Sequence, residues 1–222
     1  MALIKCPECG KEVSDKAKKC PNCACSLKKN KKVIIIVLST IMLLTIGLII
    51  FYIYSQNIYN KNVADLSNSI LSSSANCESL ANLTSEVWYN TIYKKDDQKT
   101  NKYTINSIFY KDTYYYKYKD YQYNTDFNTS LYKLFSDKKE EIAKIEDKSE
   151  EIKNKIKDMR KNPFGQKELY NALMDFYNTY QELVKITISP SGSYTDYTKN
   201  KNEKIENCLN AYERLTTLLP NN

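Results

Sequence analysis

The sequence predicts a mainly α protein in three parts: a small N-terminal metal-held module, one transmembrane helix, and an extracytoplasmic bundle of three to four helices. Three observations predict it. Cys6, Cys9, Cys20 and Cys23 form two Cys-x-x-Cys pairs ten residues apart. Residues 33–54 are 22 consecutive positions without a charge. Beyond them, apolar residues recur at helical spacing almost to the end of the chain.

The cysteines come first. Two thiolates on a tight turn, facing a second such pair, supply the tetrahedral all-sulfur set that Zn²⁺ prefers. Pro7 and Pro21 each follow the first cysteine of a pair and pre-set φ for a turn. Gly10 follows the first pair and tolerates the positive φ such a turn demands, whereas Ala24 stands at the equivalent place in the second. A 27-residue segment buries too little to fold unaided, so bound metal supplies the folding energy, about 10–16 kcal/mol for structural zinc. Without metal, the same spacing reads as two redox-active pairs. Cys25 is a fifth cysteine and is expected to be a bystander thiol.

Charge is concentrated at this end. Residues 1–32 hold nine lysines against three acids, which accounts for +6 of the formal +7. Lys28, Lys29, Lys31 and Lys32 flank the apolar run as a basic juxtamembrane segment, residues 28–32. The run VIIIVLSTIMLLTIGLIIFYIY, at about 1.5 Å per residue, is long enough for a hydrocarbon core of roughly 30 Å. It lacks the polar stripe of a soluble helix and has no small-residue cleavage site after it. The lysines predict a cytoplasmic N-terminus and an outer C-terminal domain in the cell membrane. Membrane lipid is thus one expected partner.

The outer region, residues 58–222, reads as helices joined by short turns. Val63, Leu66, Ile70, Cys77, Leu80 and Val87 follow a 3–4 repeat, with Ser73 and Thr84 filling its missing steps. Residues 99–124 hold eight tyrosines without a clean period and are expected to be a connector or a short irregular helix. Residues 126–161 predict one long amphipathic helix through Leu131, Phe135, Ile142, Ile145, Ile152, Ile156 and Met159, with Lys138 and Ser149 as exceptions. Asn162-Pro163-Phe164-Gly165 and Ser189-Pro190-Ser191-Gly192 break the pattern, and two further helices follow them. Cys77 and Cys208 fall on the apolar stripes of the first and last of these helices. They read as either a disulfide across the bundle or two buried free thiols.

The N-terminal residues Ile4 to Ala17, with Cys20-Pro21-Asn22-Cys23, closely resemble the short zinc-ribbon domain of many bacterial proteins. The resemblance covers about a tenth of the chain. It implies one structural zinc on Cys6, Cys9, Cys20 and Cys23, where family members usually carry Gly at the place of Ala24. A ribbon, one span and a helical outer domain also resemble a group of uncharacterised membrane proteins of Gram-positive bacteria. That likeness implies no activity, and it implies an outer domain facing the cell wall.

Chemistry narrows the function further. The chain has no histidine, and with it no His triad or H-E-x-x-H site; it also lacks a Gly-rich phosphate loop and G-x-S-x-G. An all-cysteine set of four leaves no open coordination position. The leading expectation is a non-enzymatic, zinc-binding, single-pass membrane protein. Its ribbon docks a cytoplasmic protein, and its outer domain is a sensing or interaction surface. One alternative has Lys11, Lys16, Lys18, Lys19, Lys28 and Lys29 bind nucleic acid, against which stands the absence of Arg and aromatic residues before the span. The other, a carboxylate-based cell-wall hydrolase, is weakened because the acids lie on helix faces opposite the apolar stripes.

Overall fold

A computed structural model describes residues 3–27, 31–112, 117–161 and 166–220. The chain divides into two compact units, Met1–Tyr54 and Ser55–Asn222.

In the first unit, strands β1 (Leu3–Lys5) and β2 (Glu12–Ser14) pair antiparallel, with Ile4 opposite Val13. A second, shorter pairing joins Lys19 and Ser26. Helix α1 (Lys31–Tyr93) then begins, and every residue from Val33 to Tyr54 is exposed. Among the described residues this is one helix long and apolar enough to cross a membrane. The apolar surface of this stretch runs all round the helix, without a charged stripe.

From Ser55 onward the same helix belongs to the second unit. The expected helix over 58–98 is therefore the continuation of the apolar one, since Tyr54 to Tyr59 contain neither Gly nor Pro to end it. Its buried stripe is Tyr59, Val63, Leu66, Ile70, Cys77 and Leu80. Ser73 and Thr84 are buried at the two polar steps. Ser73 Oγ lies 2.9 Å from Tyr180 Oη, and Thr84 Oγ1 donates to Leu80 O at 2.9 Å. Each hydroxyl is thus satisfied, which lets a polar residue occupy a core position.

The stripe packs against α4 (Lys139–Met159), α5 (Lys167–Ile188) and α6 (Tyr194–Leu218). These bring Ile145, Ile152 and Ile156, then Leu173, Phe176 and Tyr180, then Cys208, Ala211 and Leu215 into one core. Four helices thus share a single apolar interior, as in a helical bundle. Gly192, at φ +92°, makes the expected turn between α5 and α6. Ser193 caps α6 by accepting from Asp196 N at 3.1 Å. The expected break at 162–165 lies outside the described residues.

Two expectations are corrected. The helix expected over 126–161 is two, α3 (Phe127–Asp137) and α4, parted at Lys138, whose φ of −96° and ψ of 12° leave helical geometry. Lys138 was an exception to the apolar repeat, and its amine reaches Glu141 at 2.8 Å, partly exposed, where a core residue would have been buried. The other exception, Ser149, accepts from Gln181 Nε2 at 2.8 Å and joins α4 to α5.

The second correction concerns the tyrosine-rich stretch. It forms a short helix α2 (Asn101–Thr104) and an antiparallel hairpin of β3 (Ile105–Asp112) and β4 (Lys117–Tyr123). Tyrosine and isoleucine favour strands. Ile108 and Tyr110 stand on one face of β3 and are both exposed, so apolar and aromatic residues there give no readable inward–outward alternation. The hairpin is tied down at its base by Asn124. Its side-chain amide donates to Tyr103 O at 2.6 Å and to Ser130 Oγ at 2.8 Å, and its carbonyl accepts from Lys133 Nζ at 3.2 Å. Asn124→Ala is expected to cost about 1–3 kcal/mol, because buried partners lose their bonds together. The urea midpoint, read from the fluorescence of Trp88, checks it.

Candidate metal centre

Each Cys-x-x-Cys pair sits on a turn closed by the same two backbone bonds. In the first, Gly10 N donates to Cys6 O and Cys6 N to Lys11 O, both at 2.9 Å. In the second, Ala24 N donates to Cys20 O at 2.9 Å and Cys20 N to Cys25 O at 2.8 Å. Gly10 and Ala24 have φ of +71° and +58°, so both turns need the left-handed region foreseen for them. For alanine that conformation costs about 1–2 kcal/mol. Ala24→Gly is therefore expected to tighten zinc binding, by up to about tenfold for 1.4 kcal/mol. Competition against a zinc chelator measures it.

The turns bring the sulfurs together. Cys6 and Cys23 Sγ lie 3.6 Å apart, as do Cys9 and Cys20 Sγ. Tetrahedral zinc with Zn–S bonds of about 2.3 Å sets its sulfurs about 3.8 Å from one another. Both cross-turn distances are close to that. Cys6 and Cys20 are buried with Val13, while Cys9 and Cys23 are exposed.

Cys25 departs from expectation. Its Sγ is 3.2 Å from that of Cys6, and the sulfurs of Cys6, Cys20, Cys23 and Cys25 all lie within 4.8 Å of one another. Cys9 is not in that group of four. The supposed bystander is thus within the cluster, and this four-cysteine group near the N-terminus is a site that could hold a metal such as zinc. The signal for it was the repeat itself: Cys25 stands in the second turn where Lys11 stands in the first, and the carbonyl of each accepts from the first cysteine of its pair.

The thiols titrate as a group. Cys6 is held down at about 6, first by the backbone N–H of Cys9, against burial, and then by Cys25 and the N–H of Glu8. For Cys20, burial is outweighed by the N–H groups of Asn22 and Cys23, and its pKa falls. Cys9 is drawn down by the N–H of Lys11, yet burial and the neighbouring Cys6, Cys23 and Cys20 push it up to about 12. Cys23 is drawn down by the N–H of Cys25, but Cys25, burial, Cys20 and Cys6 push it to about 11. Some sulfurs therefore keep their protons while others give them up. A divalent cation among them displaces those protons, so metal affinity falls as pH falls.

The other two cysteines lie in the second unit, buried on α1 and α6 as expected. The structure carries both as free thiols, without a disulfide. Cys208 Sγ lies 3.3 Å from Ser74 Oγ, one turn from Cys77, and the Cys77 carbonyl accepts from Thr187 Oγ1 at 3.4 Å. Burial pushes the Cys77 thiol up to about 12, with Cys208 adding to it, so this sulfur is a poor nucleophile.

The second unit also has a polar groove of about 580 Å³ between α1 and α6, lined by Tyr89, Tyr194, Asn82, Asp97 and Lys201. Lys201 is buried there and donates to Asn82 Oδ1. No family model, curated protein or solved structure matches the chain.

Proposed function

We propose that this chain is a non-enzymatic single-pass membrane protein whose N-terminal zinc ribbon docks a cytoplasmic protein. The observation that carries the reading is the thiol cluster, built by two like turns in a segment whose own core is Cys6, Val13 and Cys20. One structural zinc is its natural occupant, since all-sulfur tetrahedral sites are closed sites that hold a fold together. Cys6, Cys20 and Cys23 would hold it with a fourth thiolate. The metal would supply folding energy, and the chain's residues would supply the surface.

That surface favours protein. Leu3 and Ile4 are 63% and 42% exposed on a two-stranded sheet, an apolar patch for a partner to cover. The exposed apolar stretch Val33–Tyr54 is the membrane span, and the lysines before it keep the ribbon in the cytoplasm. The helical unit beyond is the outer domain. Its groove, with two tyrosines and a buried lysine, is the surface for sensing or interaction.

In-cell photo-crosslinking from a probe at the exposed Asp15 tests the docking role. A discrete protein adduct is expected, and it disappears in Cys6→Ser/Cys20→Ser. Adducts to nucleic acid alone, or none above the variant's background, would overturn docking.

A further inference from the structure

Five sulfurs crowd a site for four. This inference rests on the zinc reading above. Cys6 and Cys20 are buried, and together with Cys23 they belong to the group within 4.8 Å that includes Cys25. Cys9 stands outside that group, yet its sulfur is 3.6 Å from Cys20, close to a tetrahedral edge. Cys25 is placed against the opposite member, 3.2 Å from Cys6. Each of the two sulfurs thus has its own anchoring neighbour among the common three.

We propose that Cys6, Cys20 and Cys23 are fixed zinc ligands and that Cys9 and Cys25 share the fourth position by exchange. Zinc with four thiolates already carries a formal −2, and its tetrahedral shell leaves no room for a fifth. One of the five must therefore stand off at any moment, as a thiol within reach of the metal. Exchange replaces one thiolate by another. The arriving sulfur loses a proton to water, the departing one takes a proton up, and the charge on the complex is unchanged.

The two are unequal toward solvent. Cys9 is exposed, whereas Cys25 is half-buried. A sulfur that leaves at Cys9 meets reagents, partners and oxidants directly. Modification of Cys9 then does not empty the site, because Cys25 takes its place. The spare thiol makes this a metal centre that survives the loss of its outermost ligand, in contrast to a closed set of four.

The test uses the full-length zinc-loaded protein in detergent. It is treated with limiting iodoacetamide, and the labelled sites are mapped by mass spectrometry after digestion. One label per ribbon is expected with zinc retained, divided between Cys9 and Cys25 and not found on both in one zinc-bearing chain. Label on Cys25 alone, or on Cys9 alone, would overturn the exchange. X-ray absorption on variants is the second arm. Cys9→Ser and Cys25→Ser are each expected to keep four sulfur neighbours around zinc, and Cys9→Ser/Cys25→Ser to fall to three. A drop to three sulfurs in either single variant overturns the sharing and fixes the ligand set. Native protein that takes up no zinc at all would instead sink the reading on which the inference rests.

Discussion

Cys6→Ser/Cys20→Ser is expected to abolish zinc binding and unfold residues 3–27 while leaving the helical unit folded. These two cysteines are the buried pair, and with Val13 they form the module's interior. Removing them takes away one ligand from each turn. Serine at neutral pH is no substitute, because its hydroxyl stays protonated. The energy at stake is the whole of metal-coupled folding, about 10–16 kcal/mol, which no remaining contact in so small a segment replaces. Zinc content per chain falls from one to none, and the ribbon amides lose protection from hydrogen exchange. The helical unit has its own core and should keep its protection. Wild-type zinc content in the variant would contradict this. In wild type, acidification should release the metal along the same path, since protons reclaim the thiolates, and chelator competition at stepped pH follows it.

Phe176→Ala is the second large effect, expected to cost about 3–5 kcal/mol. Phe176 is fully buried on α5, 5.4 Å from the ring of Tyr212 on α6, in the core shared by four helices. The loss is large against a total stability of about 5–15 kcal/mol for a domain. Phe176→Leu keeps most of the volume and should cost less than about 1.5 kcal/mol. Trp88 is the one tryptophan of the chain, stacked on Phe127 at 3.8 Å, and reports the unfolding of this unit alone. A Phe176→Ala protein whose denaturation midpoint matches wild type would mean that this core is not the one described.

Much of this structure is legible in the sequence because periodicity and spacing report local physics. The Cys-x-x-Cys pairs, the 22-residue uncharged run and the breaks at Ser189–Gly192 all announced elements that the structure contains. Ser73 and Thr84 were legible as core positions because their neighbours set the stripe, although only the fold shows which groups satisfy their hydroxyls. The hairpin of β3 and β4 was illegible for a physical reason. With Ile108 and Tyr110 exposed on one face of β3, apolar and aromatic character there does not mark burial, and the hairpin's anchor, Asn124, acts through tertiary bonds. The parting of α3 from α4 hides in one residue, Lys138, which a periodic reading treats as a blemish. Cys25 is hard to read as a ligand because a motif counts pairs, while the site counts sulfurs within reach of one point.

Zinc-edge X-ray absorption on the full-length protein, extracted from membranes in detergent without added metal, decides whether the thiol cluster holds zinc. The expected result is one zinc per chain with four sulfur neighbours at about 2.3 Å. A membrane fraction free of the protein, a chain without zinc, or a metal surrounded by oxygen and nitrogen would contradict it.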